Sequence, residues 1–139
     1  MRQAQTVLSV RTRGQGLSEV TRDVDDWVRQ TGIEAGLLTV FIQHTSASLT
    51  IQENADPDVQ RDLEIFFKRL VKEDPSLYFH TMEGPDDMPA HIRSALTDVS
   101  VSIPVSGGRP ALGTWQGLYV FEHRAHSHTR RVVCHLVGE

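Results

Sequence analysis

The chain has 139 residues, enough for one domain spanning residues 1–139, and at this length roughly two-thirds of the unfolded surface can be buried without covalent staples. Its 18 acidic residues outnumber 14 basic ones, and the formal net charge of −4 argues against broad attraction to nucleic acid or anionic membrane. Cys134 is the only cysteine and lies in an apolar run, so we expect a buried hydrophobe rather than a disulfide or nucleophile. With no secretory h-region and no apolar stretch of about 18 residues, we expect a soluble, cytoplasmic protein.

The first thirty residues predict a strand followed by a helix. Apolar and polar residues alternate over 6–13, and Gly14 marks a turn. Apolar residues then recur at spacings of three and four up to Thr31, as in an amphipathic helix; they are Leu17, Val20, Val24, Trp27 and Val28.

The middle of the chain predicts two strands and a second helix. The segment 35–44 is apolar in both phases, which is typical of a central strand covered on both faces, and 48–52 is a half-polar strand. Asp56 and Pro57 are an N-cap and a first helical residue, and the helix should reach about Lys72. Its predicted buried stripe consists of Val59, Leu63, Phe66, Phe67 and Leu70.

The last half of the chain predicts a loop, a short helix and strands. Residues 73–104 are rich in acids and turn formers, and a short helix over 91–96 follows Pro89. Three strands are predicted over 99–105, 115–124 and 129–137. Because helices and strands do not alternate regularly, the pattern indicates an α+β protein with antiparallel sheets, two main helices and one short helix.

A histidine with hydroxyl residues follows the predicted central strand. The segment His44-Thr45-Ser46-Ala47-Ser48 suits a ligand or acid-base site, but a half-buried strand end with capping hydroxyls explains it equally well. If the strands around it form a tight hairpin, Glu53 and Asn54 lie at its far end.

The segment from His80 to His91 is the richest candidate site. It places Glu83, Asp86 and Asp87 between two histidines, and this composition suits a divalent cation, either Mg²⁺ on carboxylates or Zn²⁺ on imidazoles. The alternative is a solvated acidic loop, since no zinc-type spacing such as H-E-x-x-H is present.

Two later segments offer further candidates. Glycine-rich turns carry Arg109 and Thr114, which could hold a phosphate, although hairpin turns use the same glycines for conformational reasons. Glu122 and His123 are adjacent in a strand and should face opposite sides, so we favour His123 for the site. His126 and His128 lie in a loop where exposure explains them.

Several of these motifs together resemble the YjbQ-like family, described as secondary thiamine-phosphate synthase. They occur in order along nearly the whole chain: His44 to Thr50, Glu53-Asn54, Glu83 to His91, Gly113-Thr114-Trp115-Gln116-Gly117, and Glu122-His123-Arg124. The resemblance implies two antiparallel sheets packed as a sandwich, a homotrimer with a site near a subunit boundary, and condensation of a pyrimidine diphosphate with a thiazole phosphate.

The resemblance also implies roles for particular residues. It selects four histidines and two acids for the site: His44, His80, His91 and His123 with Glu83 and Asp87. From the chemistry of these residue types we expect catalytic roles for His44, His91, Glu83 and Asp87. As hypotheses we assign phosphate binding to Arg109, Thr114 and Arg124, and binding of a divalent metal, Mg²⁺ or Zn²⁺, to His80, His91 and His123. A phosphorylated small molecule is the expected substrate. Two alternatives stay open: a trimeric protein that binds metal or ligand without turnover, and a purely structural role for the histidines in subunit contacts.

Overall fold

Eight strands and three helices follow one another in the computed structural model, which describes all residues from 1 to 139. The helices are α1 (Thr21–Thr31), α2 (Pro57–Leu70) and α3 (Asp87–Leu96), with a 3-10 turn at Pro75–Leu77. The strands are β1 (Arg2–Arg11), β2 (Gly16–Glu19), β3 (Gly36–Ile42), β4 (Ala47–Glu53), β5 (Ser100–Ser106), β6 (Arg109–Pro110), β7 (Gln116–Glu122) and β8 (Thr129–Gly138).

The strands form two antiparallel sheets, which confirms the predicted α+β class. The large sheet has the order β1-β8-β3-β5-β6, and the small sheet has the order β2-β7-β4. β3 is the middle strand of the large sheet, as predicted. A core of 17 buried residues fills the space between the sheets and α1, and Cys134 belongs to it. Burial raises the pKa of the Cys134 thiol to about 11, so this cysteine is inert at neutral pH.

Helix α2 covers the other face of the small sheet. Phe67 meets Phe121 edge to face with ring centroids 5.3 Å apart, and the Gln60 amide donates a hydrogen bond to the Tyr119 hydroxyl oxygen. Strand β7 is therefore enclosed on both faces, and every residue from Gly117 to Glu122 is buried. None of the helices is long and apolar enough to cross a membrane.

The predicted start of the first helix is wrong. Residues 16–19 form β2, in which Leu17 pairs with Phe121, and the helix begins at Thr21. Leu17 and Val20 fit a helical spacing, but the backbone here gains hydrogen bonds to β7, including one from the Val20 N–H to the Leu118 carbonyl. Long-range pairing outweighs the local pattern.

The structure decides one pairing that the sequence left open and corrects one further local prediction. β3 and β4 do not form a hairpin, because β3 pairs with β5 and β8 while β4 pairs with β7. Helix α3 begins at Asp87, two residues before Pro89, which was expected to start the short helix over 91–96, so Pro89 lies inside its first turn. A proline is tolerated there because the first N–H groups of a helix have no intrahelical acceptor.

Two apolar surfaces that were predicted to be buried are open in the single chain. The outer face of β3 exposes Leu37 by 50% and Phe41 by 43%. On α2, Phe66 is 55% and Leu70 54% exposed, and no residue of that helix is fully buried. The sequence pattern reports that a face is apolar but does not report what covers it.

Candidate functional site

Two histidines converge on one carboxylate at the start of α3. Asp87 Oδ2 lies 2.6 Å from His80 Nε2 and 3.1 Å from His91 Nε2. One ligand atom from each of the three residues lies within 4.8 Å of the other two, a grouping that could hold a metal ion. The Asp87 side chain is buried, whereas His80 is exposed and His91 is half-buried, so the group opens toward solvent on one side.

Local structure explains how these three residues meet. Asp87 and His91 are four residues apart in α3, so their side chains lie on the same face of the helix. His80 precedes the helix, and the chain between them turns at Gly84, whose φ of +105° is a conformation that side-chain-bearing residues rarely adopt. The Gly84 carbonyl accepts a hydrogen bond from the Asp87 N–H and so closes this turn.

The orientation of the His91 ring defines which nitrogen faces Asp87. His91 Nδ1 lies 2.9 Å from the Thr45 carbonyl oxygen, which can only accept, so Nδ1 carries a proton. In the neutral ring Nε2 then has a lone pair, and this lone pair faces the Asp87 carboxylate. Two acceptors 3.1 Å apart require a proton or a cation between them. Thr45 thus contributes its backbone to the site, and the motif after His44 has a structural part in it.

Arg124 supports the carboxylates from behind. Its Nη1 lies 2.9 Å from Asp87 Oδ1, and its Nε lies 2.9 Å from Asp86 Oδ2. Its Nη2 donates to the Glu83 carbonyl oxygen at 3.2 Å. All three guanidinium nitrogens therefore have protein partners. The predicted phosphate ligand Arg124 is used here to hold two aspartates in place.

The cluster keeps its carboxylates ionised. Burial raises the pKa of Asp87, but the hydrogen bond from His80 and the charges of His91 and Arg124 outweigh burial and lower that pKa below its usual value. Burial also raises the pKa of Asp86, but the Arg124 guanidinium and the Ala125 N–H, which both donate to its carboxylate, lower that pKa below its usual value. The hydrogen bond to Asp87 raises the pKa of His80. Glu83 adds a second contact at 3.0 Å from His80 Nε2.

His123 lies apart from this cluster. Its buried ring is tilted against Phe121, with ring centroids 4.5 Å apart, and its Nε2 lies 2.8 Å from the Ser48 hydroxyl. Burial lowers the pKa of His123 to about 3, and the nearby charge of Arg93 contributes. His123 is therefore a neutral imidazole whose Nε2 is engaged within the protein.

His44 also points elsewhere, toward β8. Its Nε2 accepts a hydrogen bond from the Arg131 N–H at 2.8 Å, and its Nδ1 lies 3.3 Å from Arg130 Nη1. Burial and the charge of Arg130 lower the pKa of His44. Within one chain, the four predicted histidines therefore form one pair at Asp87 and two separate environments.

A buried ion pair next to His44 was missed by the sequence reasoning. Glu122 bonds to Arg130 through both carboxylate oxygens, one of them 2.8 Å from Arg130 Nε, and it also accepts a hydrogen bond from the Thr12 hydroxyl at 2.7 Å. Thr12 and Arg130 are far apart in sequence and have no motif of their own. Only the apolar context of Glu122 suggested that this carboxylate needs a partner.

The glycine-rich turns lie at the opposite end of β7 from the cluster. Arg109 forms two 3.2 Å contacts with the Asp25 carboxylate, and Thr114 is exposed in the loop before β7. Arg124 follows the far end of the same strand, so a rise of about 3.3 Å per residue separates the two regions by roughly 20 Å. A single chain does not bring Arg109 or Thr114 to the His80-Asp87-His91 group.

Fold and site together define an α+β sandwich protein with a mixed imidazole and carboxylate group that could hold a divalent cation. The chain belongs to the family whose model is described as UPF0047 protein YjbQ-like, which matches residues 6–139. This membership confirms the family resemblance that the sequence motifs indicated.

Similar proteins cover nearly the whole chain. The UPF0047 protein sll1880 of Synechocystis sp. is 54% identical over 138 residues, covering 99% of this chain and 94% of that protein. The UPF0047 protein YjbQ of Escherichia coli O157:H7 is 45% identical over 134 residues, covering 95% and 94%. Among solved structures, a conserved hypothetical protein from Thermus thermophilus matches with a TM-score of 0.85 and 32% identity, covering 95% of this chain and 99% of that chain.

Proposed function

We propose that this chain is a metal-dependent enzyme acting on a phosphorylated small molecule at the His80-Asp87-His91 group. The observation that carries the proposal is the convergence of His80 Nε2 and His91 Nε2 on one buried carboxylate oxygen. Two imidazoles and one carboxylate fit Zn²⁺ better than Mg²⁺, which prefers oxygen ligands and keeps several waters.

The reaction in this proposal is the condensation of a pyrimidine diphosphate with a thiazole phosphate, which is the activity that the family resemblance suggests. A bound divalent cation would neutralise charge on the departing pyrophosphate. Arg124 holds the Asp87 and Asp86 carboxylates in fixed positions. Glu83 has an exposed carboxylate 3.0 Å from His80 Nε2, where it could orient the imidazole ring toward a bound molecule.

We also propose that the protein assembles as a homotrimer in the cytoplasm. The outer face of the large sheet supports assembly, since its cross-strand neighbours include Phe41 beside Val133 and Leu37 beside Val137. Val7 pairs with Val133 and extends this apolar area onto β1. A second copy covering this face would bury surface that a monomer leaves in water. Assembly is also the one route by which Arg109 and Thr114 of another copy could approach the site.

Metal content and turnover test the proposed enzyme together. Purified wild type and Asp87→Asn would be loaded with Zn²⁺, dialysed, analysed for bound metal and assayed for pyrophosphate release from the two proposed substrates. The amide keeps the size of the carboxylate but removes the charge, so we expect loss of both stoichiometric zinc and product. Asp58→Asn is the matched control, because Asp58 pairs with Arg61 on the exposed face of α2.

Each outcome has a definite reading. Stoichiometric zinc in the wild type without product would favour a metal-binding protein without turnover. Wild-type protein that retains no metal, or an Asp87→Asn variant that matches the wild type in metal and activity, would refute the proposed site.

A further inference from the structure

A recess that is separate from the His80-Asp87-His91 group lies between the small sheet and the helices that cover it. Its narrow inner end is bounded by Phe67, Phe121 and His123, and it shares Gln15, Lys68 and Arg93 with a wider outer cleft of about 570 Å³. Clefts of this size accommodate small-molecule ligands. None of the three residues of the His80-Asp87-His91 group lines either part.

Arg93 lines the recess, and its guanidinium group is buried but not fully hydrogen-bonded. The residue is only 3% exposed, its Nη2 donates to the Val71 carbonyl at 2.8 Å, and its Nη1 lies 3.7 Å from a Glu73 oxygen. Its Nε is buried and has no acceptor in the protein. Buried donors without an acceptor are rare in folded proteins, and this one belongs to a charged group.

Two more cations stand at the mouth of the cleft. Arg13 and Lys68 are exposed, and neither forms an ion pair with an acid. Glu73 is the only acid lining the outer cleft, and its carboxylate accepts a hydrogen bond from the Gln15 amide at 2.8 Å. The inner end adds two acids, Glu64 and Glu122, but Glu122 is paired with Arg130. Three cations thus face two acids that lack a full counterion elsewhere, in a protein whose net charge is −4. An excess of one sign of charge in a cleft concentrates ligands of the opposite sign.

We propose that this cleft binds the phosphate or diphosphate group of a small molecule, with Arg93 at the inner side and Arg13 and Lys68 at the mouth. Guanidinium and ammonium groups are the side chains that bind phosphate oxygens most strongly. The predicted phosphate ligands Arg109 and Arg124 both bind aspartates instead.

This site is distinct from the His80-Asp87-His91 group and does not rest on the proposed reaction. Arg93 is two residues after His91 in α3, so at about 100° per residue the two side chains leave the helix roughly 200° apart. The two sites are nevertheless neighbours, because Ala125 lines the cleft while its N–H donates to Asp86, the residue before Asp87.

Titration calorimetry with inorganic phosphate and pyrophosphate tests the site on the 139-residue protein after treatment with a chelator and desalting. The double variant Arg13→Ala/Lys68→Ala removes two exposed cations and should fold normally. We expect binding to weaken by about tenfold for each cation removed, since a hydrogen bond to a charged group contributes roughly that factor. The matched control is Arg22→Ala/Arg69→Ala, which changes the net charge equally at two exposed residues outside the cleft.

The remaining arms separate specific from general binding. Malonate at the same ionic strength should bind more weakly than pyrophosphate, and Arg93→Gln, with its fold checked by circular dichroism, should lose binding even with the mouth intact. Undetectable phosphate and pyrophosphate binding by the wild type, equal binding by the double variant, or equal weakening in the control would each overturn the proposal. Equal or tighter binding of malonate would overturn the assignment to phosphate.

Discussion

His123 makes the stability of this protein depend on pH in a way that one substitution should remove. The ring is buried, and its pKa falls from an ordinary 6.5 to about 3. Between these two values the folded protein holds His123 neutral, while the unfolded chain binds a proton at the same residue. Above pH 6.5 His123 is neutral in both states, so its ionisation does not change the free energy of unfolding. As the pH drops from 6.5 toward 3, the free energy of unfolding decreases.

The size of the effect follows from the distance below pH 6.5. Each pH unit below 6.5 stabilises the protonated unfolded chain by about 1.4 kcal/mol. At pH 5.0 the free energy of unfolding is therefore lower by about 2 kcal/mol than at neutral pH. His123→Gln keeps an amide that can reach the Ser48 hydroxyl, the partner of His123 Nε2, and has no titrating group. The variant should start less stable at pH 7.5 through imperfect packing, but it should lose less stability on acidification.

Urea unfolding at pH 7.5 and pH 5.0 measures this difference directly. We expect the wild type to lose about 2 kcal/mol more than His123→Gln between the two pH values, since that is the linkage worked out above. His126→Gln, a substitution in the exposed loop before β8, is the control and should follow the wild type. If His123→Gln and the wild type lose equal stability on acidification, His123 is not held neutral by burial and the reasoning fails.

Two further predictions concern the buried ion pair and the exposed sheet face. Glu122→Gln should destabilise the protein by about 3–5 kcal/mol in urea unfolding, because it leaves the buried Arg130 charge without its counterion. Adding Arg130→Met to this variant should recover part of the lost stability. If Glu122→Gln alone stays within about 1 kcal/mol of the wild type, Glu122 is not tightly paired. Phe41→Glu should convert the proposed trimer to monomers in size-exclusion chromatography with light scattering, whereas Arg61→Glu on α2 should not. An unchanged mass for Phe41→Glu would show that the outer face of the large sheet is not the assembly surface.

The sequence predicted most of the fold because most elements have a local cause. Stretches of strand-forming residues separated by turn residues identified β5, β7 and β8, and Asp56 caps α2 through a hydrogen bond from the Asp58 N–H. The errors occurred where partners distant in sequence decide the structure. Leu17 joins β7 instead of a helix, and β4, whose partner the sequence left open, also joins β7. Neither pairing can be predicted from the local residue pattern, because the hydrogen bonds between strands involve backbone groups that every residue except proline has.

The candidate site divides along the same line. His80, Glu83, Asp87 and His91 lie within twelve residues, and a single turn and one helix face bring them together, so their proximity could be predicted. The directions of the His44 and His123 rings could not, because they depend on Arg131 and Ser48 from strands in different sheets. The use of Arg124 as a support for Asp87 was equally hidden, since an arginine beside acids and a free arginine look alike in sequence.

The adjacent residues Glu122 and His123 show why one short motif serves two different parts of the molecule. Strand alternation sends their side chains to opposite faces of the small sheet, and here both faces are covered. Glu122 enters the core between the sheets and meets Arg130, whereas His123 faces the helical layer beside Phe121. Arg124, one residue further, has left the strand and reaches α3. Three consecutive residues thus tie the large sheet, the recess under α2 and the His80-Asp87-His91 group to the end of one buried strand, so a displacement of β7 at this point would disturb all three at once.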